Sequence, residues 1–134
     1  MSGFSLKIVT PDGLVFDGIA QELTVRTTTG DLGVLPGHCN CVAPLGMGRA
    51  TIRVDGQKRW AACIGGMLTV MDGAVTLVPT TFEWAENIDL PRAEASEQRA
   101  RDMLADAKAS DTELRMAEAR LKRALVRKSV ASLP

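Results

Sequence analysis

Trp84-Ala85-Glu86-Asn87-Ile88-Asp89-Leu90-Pro91-Arg92-Ala93 divides the chain in two. Before it, glycine-marked turns separate short runs of Val, Ile, Leu and Thr; after it, glycine is absent and Ala, Glu, Arg, Leu and Met dominate. Within the stretch, Asp89 has the position and chemistry of a helix N-cap. Pro91 falls in the first turn, where its missing N–H costs nothing. The spacing predicts a helix over residues 90–107. Ser110-Asp111-Thr112-Glu113 then forms a capping-box pattern, Ser110 capping and Glu113 reaching back, and predicts a second helix over 111–128. The short connection near Ala109 makes the two helices antiparallel neighbours.

Upstream, Asp12-Gly13, Asp17-Gly18, Thr29-Gly30, Pro36-Gly37, Asp55-Gly56, Gly65-Gly66 and Asp72-Gly73 punctuate the chain at short intervals. Many short strands set off this way predict a sandwich or barrel. Two hairpins are clearest, 50–54 with 57–62 around Asp55-Gly56, and 67–71 with 74–79 around Asp72-Gly73. Asp-Gly suits a type I′ turn, because both central residues need positive φ. Leu68 and Val70 alternate with Thr69 and Met71; Met71 is a poor polar partner, which suggests a strand covered on both faces. The fold class is therefore α+β, with an antiparallel β-sandwich over 1–86 followed by an antiparallel α-helical hairpin over 87–134.

The bulk properties agree with that size. The chain has 134 residues, 46% of them apolar, enough for one domain and an appendage. Only 4% are aromatic, so Leu, Val, Ile, Met and Ala must build the core. Sixteen basic and sixteen acidic residues balance, which argues against a nucleic-acid partner. The first residues carry no basic-then-apolar secretory pattern, and no apolar run nears the about 20 residues of a membrane span. Direct membrane insertion is not expected. Cys39, Cys41 and Cys63 are odd in number and lack a CxxC spacing, which reads as a reducing, cytosolic compartment.

The helical half has a weak seam. Ala93, Ala100, Met103 and Ala107 mark one face of the first helix, and Leu114, Ala117, Leu121 and Leu125 one face of the second. Alanine buries little area, at about 25 cal/mol per Å², and isolated helices of this length are marginal in water. The hairpin should fold only against itself or a partner, with modest free energies between the options. Its charge is sorted. Six acids face four bases from Asp89 to Asp111, whereas Ala119 to Pro134 holds Arg120, Lys122, Arg123, Arg127 and Lys128 and no acid. Complementarity within the hairpin explains this plainly; a sharper reading has the basic end meet an acidic protein surface or a phosphate.

At Gly30-Asp31-Leu32-Gly33-Val34-Leu35-Pro36-Gly37-His38 the chain resembles the epsilon subunits of F-type ATP synthases. The opening from Leu6-Lys7-Ile8-Val9-Thr10-Pro11-Asp12-Gly13 to Phe16 is similar to that family's first strand and turn. Gly65-Gly66 before Leu68 and Val70 is similar to a later strand start, and Ile88-Asp89-Leu90-Pro91-Arg92-Ala93 to the start of its first tail helix. The four segments lie in order over essentially the whole chain.

The resemblance implies a ten-stranded β-sandwich and a helical hairpin. It implies a non-catalytic rotor subunit on the cytoplasmic face of a bacterial membrane, joining the gamma subunit to the ring of c subunits. It also implies a tail that extends to impede ATP hydrolysis or folds down. Asp31 and His38 become candidates for the rotor-ring or gamma contact. Arg120, Lys122, Arg123 and Arg127 become candidates for an inhibitory contact with acidic segments of the catalytic β subunits, within the head of α and β subunits. Some bacterial members bind ATP in the folded tail, and the matching residues are Ile88, Asp89, Arg92 and Ala93, with Glu83 upstream. Arg99 shares a helix face with Arg92, and Arg123 with Arg127. Guanidinium groups give planar, multi-donor contacts to phosphate. A carboxylate such as Glu83 or Asp89 would take the adenine amino group or fix the arginines. No cofactor is obligatory; ATP is a regulatory ligand, with magnesium left open.

Plainer readings stand beside these. The glycines of residues 30–38 serve a tight connection, and Asp89 caps a helix without any ligand. His38, Cys39 and Cys41 offer three local ligands where structural zinc takes four, so no metal is expected and the thiols read as small apolar groups in a strand. No Walker P-loop occurs. The second function is a stand-alone ATP-sensing module. A hydrolase is third, since one His, no Tyr and no nucleophile constellation leave little to carry chemistry.

Overall fold

The computed structural model describes residues 2–133. Ten strands come first: β1 (Phe4–Thr10), β2 (Gly13–Ala20), β3 (Glu22–Thr27), β4 (Gly30–Val34), β5 (Cys41–Pro44), β6 (Met47–Val54), β7 (Gln57–Ile64), β8 (Met67–Met71), β9 (Ala74–Val78) and β10 (Thr81–Trp84). A single 3-10 turn, Ala85–Asn87, precedes the helices α1 (Leu90–Leu104) and α2 (Asp111–Ala131). The chain divides into two compact units between Trp84 and Ala85.

The first unit is the expected sandwich. One sheet has the order β2-β1-β9-β8-β5 and the other β10-β7-β6-β3-β4. Alternation drives the layering. Phe4, Leu6 and Ile8 of β1 point inward while Ser5 and Lys7 point out. They meet Leu23, Val25, Ile52, Leu68 and Leu77 in one continuous core. Both Asp-Gly turns have the expected chemistry, with φ of 51° and 79° at Asp55 and Gly56 and 50° and 82° at Asp72 and Gly73.

One pairing departs from pure antiparallel order. β1 lies parallel to β9, with Leu6 opposite Val75 and Ile8 opposite Leu77. The outer face of the first sheet is also more apolar than a solvated face requires. Val42, Met67, Met71 and Val78 are exposed there, Val42 to 61%. Met71 is thus exposed rather than covered, against the expectation from its strand's pattern.

The second unit is the helical hairpin. Asp89 caps α1, its Oδ1 accepting from the Arg92 N–H at 3.1 Å, with Pro91 in the first turn. Ser110 and Glu113 complete the capping box of α2, the Glu113 N–H donating to Ser110 Oγ at 3.2 Å. The helix ends differ from expectation. α1 stops at Leu104, because the Asp106 carboxylate accepts from the Lys108 N–H at 2.9 Å and turns the chain early. Ala107 therefore lies in an exposed turn and is no part of the seam. α2 continues to Ala131, where nothing in Ser129-Val130-Ala131 breaks a helix.

The seam itself is Ala93 and Ala100 against Ala117, Ala124 and Val130. Ala117 lies in the seam as expected and Leu114 and Leu121 are half-buried, whereas Leu125 is 40% exposed and Ala124 is buried in its place. Small side chains let the helices approach closely while burying little area, as the sequence suggests.

Candidate functional site

The antiparallel hairpin sets the basic second half of α2 beside the middle of α1. There Lys128 Nζ donates to Glu97 Oε1 at 2.7 Å, closing the two helices across 31 residues of sequence. Arg101 holds the other oxygen, its Nη2 lying 2.8 Å from Glu97 Oε2, one helical turn away. The Glu97 side chain is only 14% exposed. Its carboxyl is held below the usual range, by the hydrogen bond from Lys128 first and that from Arg101 second.

Next to this clasp is a cleft of about 370 Å³ lined by Ser96, Arg99, Arg120, Arg123 and Arg127. Four guanidinium groups share it and no carboxylate lines it. Among the described residues, Arg99, Arg120 and Arg123 make no hydrogen bond or ion pair with the protein. Arg99, Arg120 and Arg123 thus cluster as like charges and repel one another, and an anion relieves that repulsion. Size and lining fit a polyphosphate, gripped by multi-donor forks.

A second cleft, about 470 Å³, adjoins on the side toward the helix connection. It shares Arg99 and Arg120 with the first, has Met103 and Met116 in its wall, and is edged by Asp102, Asp106 and Glu113. The arginine cleft therefore ends against carboxylates.

Of the residues expected to hold ATP, Arg99, Arg123 and Arg127 come together in the cleft. Ile88, Asp89, Arg92 and Ala93 stand at the start of α1 and do not line it; Asp89 is engaged as the cap and Ala93 is buried in the seam. Glu83 belongs to β10 of the sandwich. Of the residues expected to meet β subunits, Arg120, Arg123 and Arg127 line the cleft, and Lys122 is exposed outside it. Ser96 and the cleft role of Arg120 were not foreseen. The signal was present, since Ser96 precedes Arg99 by three residues and Arg120 precedes Arg123 by three, the spacing of one helix face.

In the sandwich, Asp31 lies on the edge strand β4, exposed and paired to Arg26 Nε at 3.0 Å across β3. His38 follows a turn closed by its own N–H to the Leu35 carbonyl at 3.1 Å. Its Nδ1–H donates to the Cys39 carbonyl at 2.7 Å, which fixes the tautomer. Asn40 Oδ1 accepts from the Asp72 N–H at 2.8 Å and ties this loop to the β8–β9 turn. Cys39 sits exposed in the loop, outside any strand, and Cys41 is half-buried at the start of β5. The packed thiol is Cys63 on β7, pushed up to about 12 by burial.

Both halves match known families. Residues 3–85 match the β-sandwich domain of the ATP synthase delta/epsilon chain, and residues 86–132 its long α-helix domain. The chain belongs to the ATP synthase delta/epsilon family. Within it, the chain is 44% identical to the ATP synthase epsilon chain of Bacillus velezensis over 131 residues, 98% of each chain. It is 44% identical to the epsilon chain of Bacillus subtilis over 115 residues, 86% of each. It is 41% identical to the epsilon chain of Ruminococcus albus over 133 residues, 98% of each. The fold is that of a chain in the Euglena gracilis mitochondrial ATP synthase OSCP/F1/c-ring structure, with TM-score 0.85, 22% identity and coverage of 96% of this chain and 81% of that one. It also resembles a chain of the Tetrahymena thermophila mitochondrial central stalk and c-ring, with TM-score 0.65, 14% identity and 96% of each chain. Among the described residues of this family member, no helix is long and apolar enough to cross a membrane.

Proposed function

We propose that the chain is a non-catalytic central-stalk subunit of an F-type ATP synthase, peripheral on the cytoplasmic face of the membrane, whose helical hairpin regulates ATP hydrolysis and binds ATP. The match of both family domains in order, over 3–85 and 86–132, carries the stalk assignment. The sandwich supplies a mechanical coupling between the gamma subunit and the c-ring. Its exposed apolar sheet face, with Val42, Met67, Met71 and Val78, has the composition of a surface that a partner covers. Asp31 and His38 offer polar contacts at the other end of this coupling.

The four-arginine cleft carries the ATP reading. ATP in that cleft adds cohesion that the alanine seam lacks, so it favours the closed hairpin by mass action. The same arginines serve the open state, where Arg120, Lys122, Arg123 and Arg127 meet acidic segments of the β subunits. One set of charges with two exclusive uses makes the hairpin a switch that low ATP sets to inhibit. Magnesium has no dedicated protein ligand in this reading.

Co-purification tests the stalk role: the chain should be recovered with α, β and gamma subunits, and recovery alone would favour a free ATP-sensing module. Truncation after Asp89 should raise the ATPase activity of the complex, and unchanged activity would remove the inhibitory role. Calorimetry of the chain with ATP, with Arg123→Ala as control, tests the cleft; absence of heat at millimolar ATP sinks it.

A further inference from the structure

We infer that Ser96 is a phosphorylation site, and that its phosphoserine is received by Arg99, Arg120 and Arg123 and holds the hairpin closed. The inference rests on the charge and lining of the arginine cleft, and it holds whether or not ATP binds there.

Ser96 is the one residue lining that cleft that is not an arginine. It is half-buried near the middle of α1, and among the described residues its hydroxyl makes no hydrogen bond. Its surroundings are cationic from both helices. Arg99 follows it by three residues and Arg92 precedes it by four, both spacings of its own helix face. Arg120, Arg123 and Arg127 line the same cleft from α2. Arg127 has an interaction of its own, which leaves Arg99, Arg120 and Arg123 without a counter-charge. Of the carboxylates beside Ser96 in sequence, Glu94 is exposed and Glu97 is taken up by Lys128 and Arg101; neither lines the cleft.

An uncharged hydroxyl does nothing to relieve three clustered cations. A phosphoserine carries a charge of about −1.5 to −2 at neutral pH and three strong acceptor oxygens. Placed among these arginines, it makes charge-assisted, multi-donor bonds to α1 and α2 at once. The step is phosphoryl transfer from ATP by a protein serine kinase. The bond from Ser96 Oγ to the γ-phosphorus forms, the bond from that phosphorus to the β,γ-bridging oxygen breaks, ADP leaves, and the hydroxyl proton passes to the kinase. Half-burial in the closed hairpin makes the open hairpin the substrate. Modification therefore consumes the open form and yields a chain that closes without nucleotide.

The test has two arms. Mass spectrometry of the chain purified from its own cells, with phosphatases inhibited, should find phosphate on Ser96. Its absence from both energised and starved cells overturns the modification. The second arm uses the full chain, free of nucleotide, with phosphoserine installed at position 96 during synthesis. Its helical melting midpoint should rise by about 5 °C over the unmodified chain, and by less in 1 M than in 0.1 M salt. Its phosphorus resonance should titrate at least about one unit below the value near 6 of the same chain unfolded in urea. Arg120→Ala combined with Arg123→Ala should remove most of both shifts. A midpoint that falls or stays in place, or a phosphate that titrates as in the unfolded chain, overturns the reception by arginines. Far-UV circular dichroism confirms that the variant hairpin is folded, and the phosphorus titration reads the contact at low temperature even where melting is shifted. Because no ATP is present, failure here leaves the proposed ATP binding standing, and a chain that binds no ATP leaves this inference standing.

Discussion

Glu97 joins two helices through cations from both. Its folded pKa is depressed, so its contribution is fully present above the unfolded value of about 4.3 and is lost as pH falls through the folded value. The hairpin of the natural chain should therefore melt at progressively lower temperature below about pH 4.3. Glu97→Gln should melt earlier at pH 7 and depend less on pH. Helical ellipticity followed from pH 7 to 3 reads the difference between the two chains, and parallel curves would show that the clasp contributes nothing. A second residue is decisive in the sandwich. Gly66 has φ of 97°, and a Cβ there would overlap the Val78 carbonyl oxygen and the Pro79 Cα. Gly66→Ala should cost about 2 kcal/mol or more, from the strained backbone and the overlap together. Gly73 has φ of 82° with nothing near, so Gly73→Asn should cost less than about 1 kcal/mol. Urea titration read by tryptophan fluorescence compares them; equal losses would mean that the close backbone approach at Gly66 is not what that position requires.

At the scale of elements, capping decides where α2 begins. Ser110 Oγ accepts from the Glu113 N–H, and the Glu113 carboxylate accepts from the Ser110 N–H at 3.4 Å. Ser110→Ala should destabilise the hairpin by about 1 kcal/mol, with Ser110→Asp close to neutral. A thermal midpoint of the helices that fails to move in Ser110→Ala would remove the cap from the account. Both helix starts were legible because a cap is local chemistry: Asp89 and Ser110 each satisfy backbone donors three residues on. The ends were less legible. α1 stops through an Asp106 side-chain contact rather than a glycine, and the seam of α2 selects Ala124 and Val130 over Leu125 because the turn of the helix drifts along its length. The Asp-Gly hairpins were legible for the same local reason, whereas the parallel β1–β9 pairing joins strands far apart in sequence and leaves no local mark. The arginine cleft was half legible. The pairs at 92 and 99 and at 123 and 127 follow from helical spacing, but which of them share a cleft depends on the register between helices. That register brought in Arg120 and Ser96 and left Arg92 outside the lining.

At the scale of the whole molecule, the two units differ in what holds them. The sandwich core is a continuous cluster of large aliphatic side chains drawn from strands of both sheets. The hairpin rests on four alanines and a valine, plus the Glu97 clasp. Burial at about 25 cal/mol per Å² favours the first strongly and the second slightly. Heating should therefore give two transitions, helices first, and the chain carries its own reporters for them. Trp60 and Trp84 both lie in the sandwich, on β7 and β10, while ellipticity at helical wavelengths reports α1 and α2. Non-coincident curves are the expected result, and coincident ones would mean that the units unfold as one. ATP separates the cases further. A ligand held only by the closed hairpin, at about 100 times its Kd, stabilises that unit by about 2.7 kcal/mol. The helical transition should rise with ATP while the tryptophan transition stays in place. A tryptophan transition that rises equally would put ATP in contact with the sandwich or couple the two units. Movement of the helical curve alone is what the proposed regulatory tail requires: its equilibrium can then answer to nucleotide while the sandwich stays folded.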